Sequence, residues 1–490
     1  QVRDLESGAV AASALPPWPE NNGHCAWSPD GRTLLVSQGE GRKIQEYSFD
    51  PDVPRLQPTR TLESSMYQGC PVIVFHPAGD RFVSRGWSNR VSLFDVNCDQ
   101  SLLSTHALTS ATELRFDRAG ERLAAARVGP RSDRIGLWSF AGGWEYRCLI
   151  HAGNQKVTGN DAKRPTVHPG GALAAIGLTD GVALFDLDTG KELAQIATGT
   201  VSVQFDGAGN LLTNGFEGFF RWPVRADSPN PRRLLVGPPE RLPFHPGDGE
   251  IAVSRNGQVV AQAMWNGYGM APFAGGWILH PDAPEPRRLN ADKSTGRCSV
   301  SPDGRWAAFS DDFHWAEVFE TASGKSLRKW SAGPPNLCRF SPDGRWLITG
   351  VDNGRLYATD TWEPGPQLGA GEPSAATAEW VALAQTNGIY RLVELASGRE
   401  LAQLEDPEQN TRPAVFTPDG TKLIVAAKNG LAVWDLRRIR TELAKLGLDW
   451  DAPPYPPAQE VEAEPPLEVR LDLGSLAPAA ISRARGQAHE

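Results

Sequence analysis

The sequence predicts an all-β chain, a β-propeller of about ten four-stranded blades, followed by a short helix and a Pro-rich tail. Three observations predict it. A turn closing on Gly recurs about every 43 residues, a period that suits propeller blades. The residues ahead of each turn alternate between apolar and polar, which is the period of a strand with one buried face. Gly (50) and Pro (40) are too abundant in 490 residues for a helical bundle.

Each blade reads in the same order. The turn is SPDG at 28–31, 301–304 and 341–344, and TPDG at 417–420. HPAG at 76–79, DRAG at 117–120, HPGG at 168–171, DGAG at 206–209 and SRNG at 254–257 are variants of it. The residue one before the turn is Trp27, Phe75, Phe116, Val167, Phe205, Val253, Val300, Phe340 or Phe416. Three before it stand Cys25, Ile73, Leu114, Pro165, Val203, Ile251, Cys298, Cys338 and Ala414; between them fall residues such as Arg115, Thr166, Gln204, Ser299 and Arg339. Gly supplies the positive φ of a tight hairpin. A second strand follows at once, as in RTLLVS (32–37) and RWLITG (345–350). The third closes on an aromatic residue and an acid, as in VSLFDV (91–96), VALFDL (182–187) and LAVWDL (431–436). A Gly turn then leads into a fourth, as in DTGKELAQI (188–196) and SGKSLRKW (323–330). The stretch 378–404 reads as a unit whose turn has degenerated.

The SPDGRxL hairpin, the xWD close and the SGKxL turn, in register over roughly residues 1–436, closely resemble the WD-repeat family. The resemblance implies propeller blades and a surface for protein partners. One departure is that the Gly-His pair opening each repeat in the family is almost absent. The ending AVWDLRRIRTELAKLGLDWDAPPYPP is similar to WD-repeat regions of planctomycete-type bacterial proteins, which are often joined to a Ser/Thr protein kinase domain. That likeness implies a place in a larger signalling protein.

Ten units are awkward for one closed ring, so two propellers are expected. The reading is a partial ring over 1–149, a seven-bladed ring over 150–436, and a helix with a Pro- and acid-rich, flexible tail over 437–490. A single large ring closed by the N-terminal strand is the alternative. The last unit ends at VWDL without an outer strand of its own. In the helix, Leu436, Ile439, Leu443 and Leu446 form the apolar face, with Arg and Lys turned outward.

A net charge of −9 disfavours nucleic acid and anionic lipid, and no apolar run is long enough to span a membrane. No charged-then-apolar leader follows Gln1, so no signal peptide is expected in this stretch, and the missing initiator Met suggests a processed chain or a fragment. Cys25, Cys298 and Cys338 share a register position, so they read as small buried residues rather than disulfide or metal partners, and reduced thiols favour a cytoplasmic setting. His76, His168 and His245 each precede a Pro, and the first two stand where other units carry Ser or Thr, which predicts turn capping. The turn aspartates read as turn formers. GKS at 324–326 fails as a phosphate loop because position 319 is Phe. No cofactor or metal site is expected.

One feature escapes the repeat. FAGGW occurs at 140–144 and 273–277, the second after AMWNGYGMAP (263–272). Trp144, Met264, Trp265, Tyr268, Phe273 and Trp277, with Trp315 of FHW (313–315), are therefore candidate partner-binding residues on loops, since such side chains bury large area at binding hot spots. The leading expectation is a non-catalytic scaffold for a protein or peptide partner. A propeller enzyme of lactonase or quinoprotein type and a glycan-binding propeller are the alternatives.

Overall fold

All nine turn glycines lie in the left-handed region, with φ between 68° and 90°. The SPDG turns are built alike. In the first, the Ser28 hydroxyl donates to the Asp30 carboxylate at 2.5 Å and accepts the Thr33 N–H at 2.8 Å, while Asp30 also accepts the Arg32 N–H at 3.0 Å. Ser301, Ser341 and Thr417 repeat the bond to Asp303, Asp343 and Asp419, each at 2.6 Å. The Ser28 hydroxyl, helped by the Arg32 N–H, holds the Asp30 carboxyl below its ordinary value. These aspartates are turn formers, as their register implied.

The structure is a computed structural model. It describes residues 1–14, 24–37, 43–63, 72–85, 90–96, 101–106, 113–126, 135–139, 145–151, 164–178, 181–198, 202–215, 217–227, 230–244, 249–264, 274–281, 283–289, 295–311, 315–330, 337–386, 388–406, 413–427, 430–455 and 466–476. Two compact units divide the chain. The first comprises Gln1–Trp144 with Asp406–Asn410, and the second Glu145–Glu405 with Thr411–Glu490.

In the first unit, sheets follow one another along the chain with antiparallel neighbours. A two-stranded sheet (Val2–Arg3, Val10–Ala12) precedes two four-stranded ones and a three-stranded one ending at Ile135–Ser139. Apolar clusters join the last three sheets, for example Leu35, Ile44 and Leu62 with Ile73, Phe82 and Phe94. Neither cluster reaches the two-stranded sheet, and Cys25 is correspondingly exposed. The burial expected of Cys25 is thus corrected, whereas Cys298 and Cys338 are buried between sheets.

The second unit starts with the strand Tyr146–Ile150, which pairs antiparallel with Gly430–Asp435 near the other end of the unit. It supplies the outer strand that the last repeat lacks in sequence, and it begins ahead of the boundary expected at 149/150. Its side chains make the choice of partner favourable. Leu149 is fully buried, Tyr146 meets the Trp434 ring edge-on at 4.6 Å, and Arg147 donates to the Leu187 and Asp188 carbonyls of the next sheet.

Among the described residues, seven apolar clusters join the sheets of this unit in cyclic order. Leu173 and Val182 meet Phe205 and Trp222; Leu212 and Phe219 meet Ile251; Ala261 and Ile278 meet Phe309. Val318 then meets Phe340, Ile348 meets Val381, Tyr390 meets Leu423, and Ile424 and Leu431 return to Ile176 and Phe185. One sheet has six strands because the 13-residue strand Pro364–Ala376 pairs with Trp346–Ala358 through its first part and with Trp380–Ala384 through its last.

His76 and His168 cap their turns as expected: Nδ1 accepts the Ala78 N–H at 3.1 Å in one and the Gly170 N–H at 3.0 Å in the other. Nε2 of His76 also donates to the Gly120 carbonyl of the following turn at 3.1 Å, so the ring ties neighbouring sheets. His245 lies outside the described residues. Burial holds His168 below its ordinary value of 6.5 against the opposing pull of Asp206. A depressed folded value means that the stabilisation is present above the unfolded value and is lost as pH falls through the folded one. Acidification below about pH 6.5 is therefore expected to lower the urea midpoint more in the wild type than in His168→Asn. Equal losses in the two proteins would remove this role.

The helix Leu436–Lys445 is capped by Asp435, whose carboxylate accepts the Arg438 N–H at 3.0 Å. Leu436 and Ile439 pack on the closing sheet, but Leu446 lies past the helix end and is 71% exposed. Nor do all basic side chains point outward, because Arg440 is 5% exposed. Its guanidinium binds Asp449 at 2.9 Å and the Ala452 carbonyl at 2.7 Å, and it lies 5.1 Å from the Trp450 ring and 5.5 Å from the Tyr455 ring. Tyr455 in turn donates to the Gly420 carbonyl at 3.1 Å. Removing this cation from its carboxylate and carbonyl acceptors would leave those polar groups unpaired, which is why an Arg stands on the inner face.

The tail is corrected as well. Glu468–Leu471 forms a strand parallel to Arg233–Val236, within a hairpin (Val224–Asp227, Asn230–Val236) inserted between strands of one sheet. Leu467 is buried, with Val469, Leu471, Leu473 and Leu476 packed around the same cluster as Phe220 and Trp222.

Candidate functional site

The first strands of successive sheets in the second unit line one cavity of about 330 Å³. Apolar positions one and three before each turn enter the clusters between sheets. The residues between them, Thr166, Gln204, Ala252, Ser299, Arg339 and Val415, line the cavity together with apolar neighbours such as Val203, Ile251 and Val300. The strand period alone places these side chains in one layer.

Polar groups at this wall tie one sheet to the next. Thr166 Oγ1 accepts the Phe205 N–H at 2.9 Å, Ser202 Oγ the Ile251 N–H at 3.3 Å, and the Glu250 carboxylate the Cys298 N–H at 3.3 Å. Ser299 Oγ accepts the Phe340 N–H at 3.1 Å, and Ser374 Oγ the Ala414 N–H at 2.8 Å. An inner strand has no ladder partner on its cavity side, so each such bond satisfies an otherwise orphaned donor.

Two guanidinium groups reach the same stretch of backbone. Arg164 donates through Nη1 to the Ser374 carbonyl at 2.8 Å and through Nε to the Glu250 carboxylate at 3.2 Å. Arg339 donates through Nε to the Pro373 carbonyl at 3.2 Å. The thiol of Cys298 donates to the Glu250 carbonyl at 3.3 Å, and burial beside that carboxylate pushes it well above its ordinary value. Burial likewise pushes Cys338 up to about 12. Neither thiol is a nucleophile near neutral pH. Among the described residues, no three His, Cys, Asp or Glu side chains form a group able to hold a metal ion.

The structure separates the partner-binding candidates. Met264 is fully buried in the strand Val260–Met264, and Trp315 is 8% exposed within the cluster around Phe309. Both are core residues, which corrects their assignment to a binding surface. Trp277 belongs to the strand Gly275–Leu279 rather than to a loop, packs partly on the cluster around Phe219, and carries the Arg288 guanidinium 5.6 Å from its ring. The strand runs here because Gly276 lets the Phe309 ring approach; a Cβ at 276 would lie 2.7 Å from it. Trp144, Trp265, Tyr268 and Phe273 lie outside the described residues.

A second aromatic group was missed by sequence reasoning. The Arg328 guanidinium stands 5.4 Å from the Trp330 ring and 5.2 Å from the Tyr357 ring, and it donates to the Trp362 carbonyl. Trp362 meets Trp306 edge-on at 5.6 Å and holds a φ of 60°, rare for a bulky residue. The signal available was the set Trp330, Tyr357 and Trp362, on the outer strand of one repeat and on the strand end and turn of the next.

Residues 324–358 of the chain match the family WD domain, G-beta repeat. The crystal structure of the Myceliophteria thermophila Cps50 (Swd1) beta-propeller domain is similar at 14% identity, covering 58% of this chain and 98% of that chain, with a TM-score of 0.43. A comparison with curated proteins yields no match.

Proposed function

We propose that this chain is a WD-repeat β-propeller acting as a non-catalytic scaffold that presents a rigid surface to a protein or peptide partner. The second unit is read as a seven-bladed ring and the first as a partial ring. The observation that carries the reading is the series of bonds between inner strands. Thr166, Ser202, Glu250, Ser299 and Ser374 all spend an oxygen on joining sheets, so the repeat's polar residues hold a frame and leave recognition to loops. The net charge of −9 supports a partner other than nucleic acid. The ending of the repeat region supports a regulatory role beside a kinase domain in a larger signalling protein.

The segment 265–273 is the proposed contact. Trp265→Ala and Tyr268→Ala are each expected to weaken partner binding at least about tenfold, as loss of an aromatic hot spot does, while leaving the melting temperature within a few degrees. Affinity capture from the native host with wild type and both variants, compared by mass spectrometry, identifies the partner; titration of that purified partner then gives the affinities. A large fall in melting temperature with unchanged binding would instead make these residues structural.

A further inference from the structure

We propose that the cavity of the second unit is a binding site for a small organic or inorganic oxyanion, held by Arg339 and Arg164 with Gln204 and Ser299 beside them. The inference goes beyond the scaffold reading, since it concerns the inner wall and not the loops.

Charge is the first argument. Two guanidinium groups are anchored on the carbonyls of adjacent residues, Pro373 and Ser374, and the carboxylate bonded there is Glu250, paired with Arg164. Arg255, from a turn bordering the cavity, adds a third cation. Like charges gathered at one wall favour a counter-ion, and an oxyanion is the species whose geometry a guanidinium fork matches.

Unsatisfied donors are the second. Arg339 makes one hydrogen bond, through Nε, so both its Nη groups are left without a protein partner among the described residues. Arg164 likewise keeps Nη2. Gln204, in the same layer as Arg339, makes no side-chain hydrogen bond among the described residues. Ser299 accepts the Phe340 N–H and retains its own proton to donate. The wall therefore offers several donors against a single carboxylate.

Size is the third. A cavity of about 330 Å³ has room for roughly ten waters at about 30 Å³ each, the lower end of the range for small-ligand sites. Phosphate and a compact carboxylate fit that volume; a folded partner does not.

The test uses the full chain and three probes, inorganic phosphate, succinate and citrate, each against sodium chloride of equal ionic strength. At least one probe is expected to raise the melting temperature and to bind in calorimetric titration, and comparison among the three separates a phosphate from a carboxylate preference. Arg339→Gln is expected to weaken that binding about tenfold or more, the loss of a charge-assisted pair of hydrogen bonds. Gln204→Ala, which removes no side-chain hydrogen bond among the described residues, is expected to weaken it by a smaller factor and serves if Arg339→Gln does not fold. Arg438→Gln, on the exposed face of the C-terminal helix, is expected to bind like wild type. The proposal is overturned if all three probes leave the wild type unchanged relative to chloride. It is equally overturned if the cavity variants that fold bind as tightly as the wild type.

Discussion

Alanine at Gly430 is expected to destabilise the second unit by about 3 kcal/mol or more and to open the strand Tyr146–Ile150 to amide exchange. Gly430 heads the strand that receives Tyr146–Ile150, with a φ of 149°. A Cβ there would stand 2.0 Å from the Leu149 carbonyl oxygen and 3.3 Å from the His151 nitrogen, both backbone atoms that cannot rotate aside. Either the pairing opens or the glycine's backbone is forced out of its conformation. Gly181→Ala supplies the comparison, because Gly181 has a φ of 152° and its Cβ would meet the Ile196 carbonyl oxygen, also at 2.0 Å. It should cost a similar amount of stability while residues 146–150 stay protected. If Gly430→Ala leaves that strand as protected as Gly181→Ala does, the strand is held by something other than the pairing with Gly430–Asp435.

Ending the chain after Pro457 is expected to lower stability by about 4 kcal/mol, although nothing before that residue changes. The loss comes from Leu467, Val469, Leu471, Leu473 and Leu476, which cover the cluster containing Phe220 and Trp222. The pair Arg233–Glu468, at 2.8 Å, is exposed on both sides and contributes little. Leu467→Asp separates docking from mere chain length, since it places a charge in a buried position without removing residues. It should reproduce much of the loss in urea unfolding. A tail that only trails in solvent would leave both midpoints where they were.

The features that could be read from sequence share one property: each is decided by residues within a few positions of one another. Positive φ at the turn glycines, the Ser-to-Asp bond of SPDG, and the alternation that buries Phe205 and Val203 while leaving Gln204 half-exposed need only a hairpin. The helix start at Asp435 is equally local.

Partner choice over long distance could not be read. Tyr146–Ile150 follows the DRAG unit in the chain yet pairs with a strand some 280 residues away, and its alternation is compatible with either neighbour. The docking of Glu468–Leu471 could not be read from the tail's composition because the edge it joins, Arg233–Val236, lies in an insertion that the repeat does not contain. Burial misled in both directions. Arg440 is charged and buried because Asp449 and the Ala452 carbonyl converge on it from nine and twelve residues ahead. Of Met264 and Trp315, which pattern alone placed on a surface, the first is fully buried and the second packs in the cluster that joins two sheets.

Local sequence therefore settled the strand period, the turns and the side chains that face the cavity, because hairpin sterics and alternation act within one repeat. Tertiary structure decided which strand completes the last sheet, where the tail docks, and that Arg164 and Arg339 meet at Pro373 and Ser374. Those outcomes depend on burial and on backbone donors and acceptors seeking partners across the whole unit, and no short stretch of chain encodes them.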